Sequence, residues 1–450
     1  MSTVNMPSVE TLAARLTASW RRTDQIFDLV PRDMILARPI ELRLPLIFYV
    51  GHLPAFAWNH LCRAVVGRRS FNPTFDEIFE RGIDPDVDDP TKCHAHPDIP
   101  EVWPALADVV AYRDRVRDEL IRALDVLDAA ATTHVMARSA RVASMVIEHE
   151  LMHQETLLYL LQQLPPDAKR RPAPRSPVRR RGVRPHAVFI EPGDATLGAE
   201  FDALDFGWDN EFPTERVPVP GFRIDATPVT NGEFLAFVES GGYERAALWQ
   251  DDWDWKTREA LRHPLCWVER DGARWYRTMF ELVPLPDAAD WPVSVSLAEA
   301  RAYARWSGAR LPTEAEYHRA AYGEPGGRER RFPWGDAPPG REHGNFDFVE
   351  WSPGAVGSHP AGASAFGVHD LVGHGWELTD TAFAPFPGFT AYIPTYPGYS
   401  ADFFDGKHFV LKGASWATDQ ALVRRSFRNW YQARYPYVFS KFRCVRPARG

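Results

Sequence analysis

Cysteine is scarce in this chain. There are four in 450 residues, and Cys62, Cys93, Cys266 and Cys444 lie far apart with no CxxC spacing. That excludes a disulfide framework or a zinc ribbon and fits a reducing cytoplasm. The first residues, Met1-Ser2-Thr3-Val4-Asn5-Met6, have neither the charged nor the apolar region of a signal peptide. No uninterrupted apolar run is long enough to span a bilayer. The expectation is a cytoplasmic protein with no membrane partner. A basic surplus is missing too: 52 Lys and Arg stand against 60 Asp and Glu, a formal net charge of −8. A nucleic-acid binder usually carries a basic domain, so nucleic acid is not an expected partner. The Pro/Arg-rich stretch 165–185, with Pro177-Val178-Arg179-Arg180-Arg181 at its centre, reads as a solvated linker in this acidic setting.

At 45% hydrophobic and 25% charged, the composition is that of a globular protein, and the length calls for two or more domains. Apolar residues at helical spacing predict four long helices, over 8–29, 43–66, 105–129 and 138–163. These make an N-terminal bundle over 1–164. The polar stretch 67–104 between the second and third helices reads as a long loop, and loops of that length are often functional. The fourth helix carries Ile147-Glu148-His149-Glu150-Leu151-Met152-His153-Gln154-Glu155. His149 and His153, four apart, share one helix face, and two imidazoles so placed can bind one metal ion. Glu155 points about 200° around the helix from His153, so it reads as a supporting residue. The best third ligand is His52, in the apolar run Phe48-Tyr49-Val50-Gly51-His52-Leu53. Taken alone, the pair is equally consistent with hydrogen-bonded core histidines.

After residue 186 the texture changes to short segments rich in Gly, Pro and aromatics. Of 16 tryptophans, all but Trp20, Trp58 and Trp103 lie beyond residue 200. A helix is predicted over 297–307, and Thr313 is placed to cap another opening at Glu314. The expectation for 186–450 is an irregular α+β domain.

Several runs in this half resemble the formylglycine-generating-enzyme-like fold, a variant of the C-type-lectin type. They are Phe189-Ile190-Glu191-Pro192-Gly193, Pro228-Val229-Thr230-Asn231, Gly308-Ala309-Arg310-Leu311-Pro312-Thr313-Glu314-Ala315-Glu316, Phe332-Pro333-Trp334-Gly335-Asp336, Gly413-Ala414-Ser415-Trp416 and Phe442-Arg443-Cys444. The first half, with its HxxxHxE run and Gly51-His52, is similar to the DinB-like bundles. The two in this order resemble the ergothioneine-type sulfoxide synthases, non-haem iron enzymes that join a chalcogen to C2 of a histidine-derived imidazole. Formylglycine generation itself is disfavoured, because it needs a closely spaced cysteine pair near the C-terminus and only Cys444 is there.

The resemblance implies that His52, His149 and His153 hold Fe(II), with hercynine, a chalcogen donor and O2 as partners. An all-histidine site could also hold zinc. The resemblance further implies that Asn429 and Trp430 bind the hercynine betaine, with Tyr431, Met152 and Trp416 also lining the substrate. A tyrosine in Tyr392, Tyr396 or Tyr399 would serve as donor to the reacting centre, with Tyr392 first and Tyr396 second. The chain departs from the branch that uses γ-glutamylcysteine. Its loop reads Lys92-Cys93-His94-Ala95-His96-Pro97-Asp98, with no arginine between Arg81 and Arg113. Tyr431 replaces an aspartate, Met152 replaces a glutamine, and His374 replaces the asparagine of a Gly-Asn turn. Loss of carboxylate-pairing groups favours an uncharged donor such as a selenosugar, and with it the selenoneine synthases. A thiol donor (cysteine or γ-glutamylcysteine), an ovothiol-type histidine synthase and a lectin-like binding module are the alternatives.

Overall fold

The computed structural model describes residues 8–80, 82, 86–88, 100–127, 134–172 and 184–448. It divides into two compact units. Unit 1 comprises residues 1–172, 200–209 and 391–402; unit 2 comprises 173–199, 210–390 and 403–450. The donor-loop reading at Lys92–Asp98 and the central run of the linker, 173–183, lie outside the described residues.

All four long helices expected of unit 1 form. Helix α1, Val9–Phe27, starts where the Ser8 hydroxyl accepts the Thr11 N–H, and it buries Leu12, Leu16 and Ile26 on one face. Helix α2, Leu46–Ala57, is buried at every position, as an element that is apolar all round must be. Pro54 lies inside it and withholds a donor from the helix ladder. The helix then widens into a π-helical stretch, Trp58–Val65. That form is rare and frequent at functional sites. The 67–104 stretch contains a further short helix, α3, Pro73–Ile78, opened by Pro73 at its first position and by the Asn72 side chain accepting the Phe75 N–H. Helix α4, Leu106–Leu124, packs on α2, and helix α5, Arg141–Gln162, packs on α1 and α2. Buried polar groups fix the α1–α5 contact: Gln154 Nε2 donates to the Ser19 carbonyl (3.1 Å) and Thr23 Oγ1 donates to Glu150 (2.6 Å).

Among the described residues, unit 2 contains four small sheets. The strands are β1 (Ala187–Ile190), β2 (Gly193–Leu197), β3 (Glu215–Val219), β4 (Phe222–Asp225), β5 (Trp267–Arg270), β6 (Ala273–Arg277), β7 (Leu282–Pro284), β8 (Gly375–Ala382), β9 (His408–Ala414), β10 (Asn429–Gln432), β11 (Ser440–Lys441) and β12 (Val445–Pro447), in the orders β1-β4-β12, β2-β3, β5-β6-β7 and β10-β9-β8-β11. Its main helices, α6 (Asn231–Glu239), α7 (Leu297–Trp306) and α8 (Glu314–Tyr322), each begin with a complete capping box, at Thr230/Glu233, Ser296/Glu299 and Thr313/Glu316. Strands β8 (Gly375–Ala382), β9 (His408–Ala414) and β10 (Asn429–Gln432) are antiparallel neighbours. Two buried ion pairs lock this sheet. Arg443 meets Glu377 with two contacts of 3.0 and 3.1 Å, and Arg428 meets Glu314 with two of 3.1 Å. Such two-pronged pairs hold both partners in one orientation. Arg428 precedes Asn429, so its clamp sets where β10 begins. The fold is thus a helical bundle with a mixed helix-and-sheet unit, the α+β class expected.

Candidate metal centre

His52, His149 and His153 come together in unit 1, each offering a ring nitrogen within 4.8 Å of the others. His52 and His149 are 2% and 6% exposed, and His153 is partly buried. The nearest pair is His52 Nε2 and His153 Nε2, 3.2 Å apart. His52 Nδ1 lies 2.8 Å from the Phe79 carbonyl. A carbonyl only accepts, so the His52 ring proton sits on Nδ1 and its Nε2 lone pair is bare. That is the tautomer a metal ligand needs. Only a cation or a single shared proton can occupy the gap between the two Nε2 atoms. Burial, reinforced by the charges of the neighbouring imidazoles, holds His149 and His153 well below the usual histidine range. Both are neutral at pH 7, again as ligands must be.

Aromatic rings fix the imidazole planes. Phe56 lies flat on His149 (centroids 3.5 Å apart, 4° between planes) and Phe48 on His52 (4.9 Å, 18°). Gly51 makes the Phe79 contact possible: a Cβ there would stand 2.6 Å from three atoms of the Phe79 ring. The end of α3 can therefore reach α2 and bring its carbonyl to His52. The three residues fit a transition metal on donor chemistry, His52 also on its tautomer and His149 and His153 also on charge.

A second cluster, His359, Asp370 and His374, lies in unit 2 with ligand atoms equally close. It fails the same test. His374 Nδ1 accepts the Gly354 N–H (3.1 Å), so the His374 proton sits on Nε2. That atom faces Asp370 Oδ1 at 3.6 Å. The two buried groups face each other across this distance without a hydrogen bond, and Asp370 Oδ2 accepts the Gly357 N–H at 2.6 Å.

Tyr392, Tyr396 and Tyr399 belong to the 391–402 segment of unit 1. Tyr392 donates its hydroxyl to the Gly207 carbonyl and packs edge-on to Phe201. Tyr396 stands against Phe56 (5.8 Å) and His60 (5.7 Å), one ring away from His149. Tyr399 stacks on Trp208 (3.9 Å), and its hydroxyl lies 3.8 Å from Met152 Sδ, next to His153. His60, unnoticed in the sequence, sits 4.1 Å from Phe56; its spacing of four from Phe56, and of eight from His52, within the predicted 43–66 helix was the signal that could have found it.

In unit 2, Asn429, Trp430 and Tyr431 occupy consecutive β10 positions, so their side chains alternate in face. Trp430 stacks on Phe383 (4.4 Å, 5°), whereas Tyr431 stacks on Tyr435 (5.5 Å, 7°) on the other side. Asn429 uses Oδ1 to accept the Trp430 N–H at 3.0 Å. Trp416 is 1% exposed and packs on Phe439, inside the core of unit 2.

These features define a class, a helical bundle bearing a three-imidazole centre joined to a sheet-containing unit. Comparison with known proteins is consistent with it. Residues 173–448 match the sulfatase-modifying factor enzyme 1-like domain, and residues 15–157 match the DinB superfamily. The "Hercynine oxygenase" of Mycolicibacterium thermoresistibile is 34% identical over 96% of this chain and 93% of its own length. "Ergothioneine biosynthesis protein 1" of Neurospora crassa is 31% identical over 99% of this chain, which spans 59% of that relative's length. The "Hercynine oxygenase" of Mycobacterium tuberculosis is 38% identical over 68% of this chain and 71% of its own length. The chain belongs to the ergothioneine-type sulfoxide synthase family.

Proposed function

We propose that the protein is an Fe(II)- and O2-dependent enzyme that joins a chalcogen to imidazole C2 of hercynine, with a selenosugar as donor. The observation that carries this reading is the three-histidine cluster, with the His52 Nε2 lone pair turned toward His153, in a chain whose relatives include hercynine oxygenases. His52, His149 and His153 would hold the iron, which when bound supplies O2 activation beside the two substrates. For a sulfoxide-type product the balance is simple. The imidazole C–H and the donor chalcogen–H bonds break, a carbon–chalcogen bond forms, and one O2 gives its atoms to the chalcogen and to water.

The protein's own groups orient and protonate. Tyr396, beside Phe56 and His60, takes the proton-donor role in this reading. Tyr392 becomes a wall, because its hydroxyl is already committed to Gly207. Asn429 and Trp430 remain the residues for the betaine. The Trp430 ring would attract a quaternary ammonium by cation–π interaction worth about 0.5–2 kcal/mol. The selenosugar rests on the sequence alone, namely the absence of arginine between Arg81 and Arg113.

Donor competition tests the reading. The protein is loaded anaerobically with Fe(II), given hercynine, and exposed to air with a selenosugar, γ-glutamylcysteine or cysteine in turn. Products are read by mass spectrometry. Selenium incorporation from the sugar supports the full reading. Sulfur products from a thiol donor keep the iron chemistry and overturn the donor. No hercynine-derived product with any donor removes the reading.

A further inference from the structure

Arg141 is the first residue of α5 and is 5% exposed. Its guanidinium lies over the Phe201 ring at 4.1 Å and 5.9 Å from the centre of the Tyr392 ring. Its one hydrogen bond is a long one, Nη2 to the Phe201 carbonyl at 3.4 Å. Nη1 is buried with no partner, and among the described residues no carboxylate is paired with this arginine. Guanidinium keeps its charge throughout the working pH range, and an uncompensated buried charge is strongly unfavourable. Of the other buried arginines among the described residues, Arg428 and Arg443 each meet a glutamate, and Arg319 donates to the Glu191 and Glu324 carbonyls instead.

The end of the helix repeats the demand. α5 is 22 residues long, has no acidic residue in its first turn and no side-chain cap at Ala140, and places a cation where the helix dipole favours an anion. Two features of different origin thus lack the same thing, a negative charge.

We propose that Arg141 and the amino end of α5, walled by Phe201 and Tyr392, bind the carboxylate of a small-molecule substrate. The location suits that role. Arg141 precedes His149 by two helical turns, about 12 Å of rise. The segment carrying Tyr392 beside Arg141 also carries Tyr396 beside Phe56 and Tyr399 beside Met152. In the functional reading above, the carboxylate is that of hercynine; a carboxylate on the donor would put an amino-acid thiol in place of the selenosugar. Only that choice of source rests on the reading; the anion site does not.

The test uses full-length, metal-free protein, so it is independent of turnover. Thermal unfolding is followed in sodium acetate and in sodium chloride at equal ionic strength, for wild type, Arg141→Met and Arg141→Lys. Acetate is expected to raise Tm relative to chloride in wild type, less so in Arg141→Lys, and not at all in Arg141→Met. Isothermal titration then compares hercynine with its carboxamide, and cysteine with cysteamine. One pair is expected to show at least a tenfold preference for the carboxylate in wild type that disappears in Arg141→Met, and that pair names the source. An acetate shift equal in wild type and Arg141→Met, or no carboxylate preference in wild type, overturns the proposal. If Arg141→Met does not fold, the decision passes to Arg141→Lys, where an undiminished carboxylate preference overturns it and a weakened one sustains it.

Discussion

Replacing Gly51 with alanine isolates the link between helix packing and the metal centre. The new Cβ would meet the Phe79 ring at 2.6 Å, and that ring is fully buried among Phe48, Phe75 and Trp103. It has nowhere to turn, so α3 must move away from α2. Overpacking of this kind costs about 1–3 kcal/mol, offset by the roughly 1 kcal/mol that alanine gains over glycine in a helix. The net loss of stability is therefore small, about 0–2 kcal/mol by the same figures. Metal affinity should change far more. Moving α3 withdraws the Phe79 carbonyl from His52 Nδ1, and losing such a supporting hydrogen bond typically weakens metal binding about 10–100-fold. Anaerobic titration with Fe(II) or Co(II), alongside urea unfolding, reads both effects. The double variant Gly51→Ala/Phe79→Ala removes the ring but keeps the backbone carbonyl, so it should recover part of the affinity while losing stability. Unchanged affinity in Gly51→Ala would refute the argument that this carbonyl sets the His52 tautomer.

Three further outcomes follow from the same geometry. Burial alone would raise the Asp370 carboxyl, but the His374 ring, the Gly357 N–H and Arg443 outweigh it and hold it at about 2, against an ordinary 3.8. Its stabilisation is thus complete at pH 7 and is lost as pH falls from about 4 toward 2. Asp370→Asn should lower stability by roughly 2 kcal/mol at neutral pH, with the gap to wild type closing in acid when urea midpoints are compared. Glu314→Ala strands Arg428 and should cost about 3–5 kcal/mol by the same assay; a loss below 1 kcal/mol would mean that the pair is not holding β10. Tyr396→Phe should leave hercynine affinity unchanged and slow turnover by about 10²–10⁴, while Tyr392→Phe should be nearly silent. The reverse pattern would return the proton-donor role to Tyr392.

Much of unit 1 is legible in the sequence because its helices announce themselves by period: Leu12, Leu16 and Ile26 on α1, and the His149–His153 pair on α5. Capping chemistry is equally local, and Thr313 was readable as an N-cap for that reason. His52 required the family resemblance, since nothing in an apolar helix says which other helix its imidazole will meet. Phe79 was invisible as a site residue because its contribution is a backbone carbonyl, which every residue has. The π-helical stretch Trp58–Val65 and the short helix Pro73–Ile78 were hidden in stretches read as ordinary helix and loop, whereas His60 stands beside Phe56 at ordinary i, i+4 spacing. Among the tyrosines, linear position favoured Tyr392, and only the tertiary arrangement distinguishes its committed hydroxyl from the ring of Tyr396 beside Phe56. Strand alternation would have separated Trp430 from Tyr431, had β10 been recognised as a strand. Arg141 looked like any charged helix residue, because the absence of a counter-charge is a property of its surroundings.

The central claim is that the three histidines form an iron centre that oxidises hercynine. Iron content and hercynine-dependent oxygen uptake, measured together on wild type and His149→Ala, test it most directly. The expected result is one iron per wild-type chain and oxygen uptake that requires hercynine and a donor. In His149→Ala both should be lost, with the helical circular dichroism unchanged. Oxygen uptake that persists in folded His149→Ala, or wild type that takes up no iron, would contradict the account.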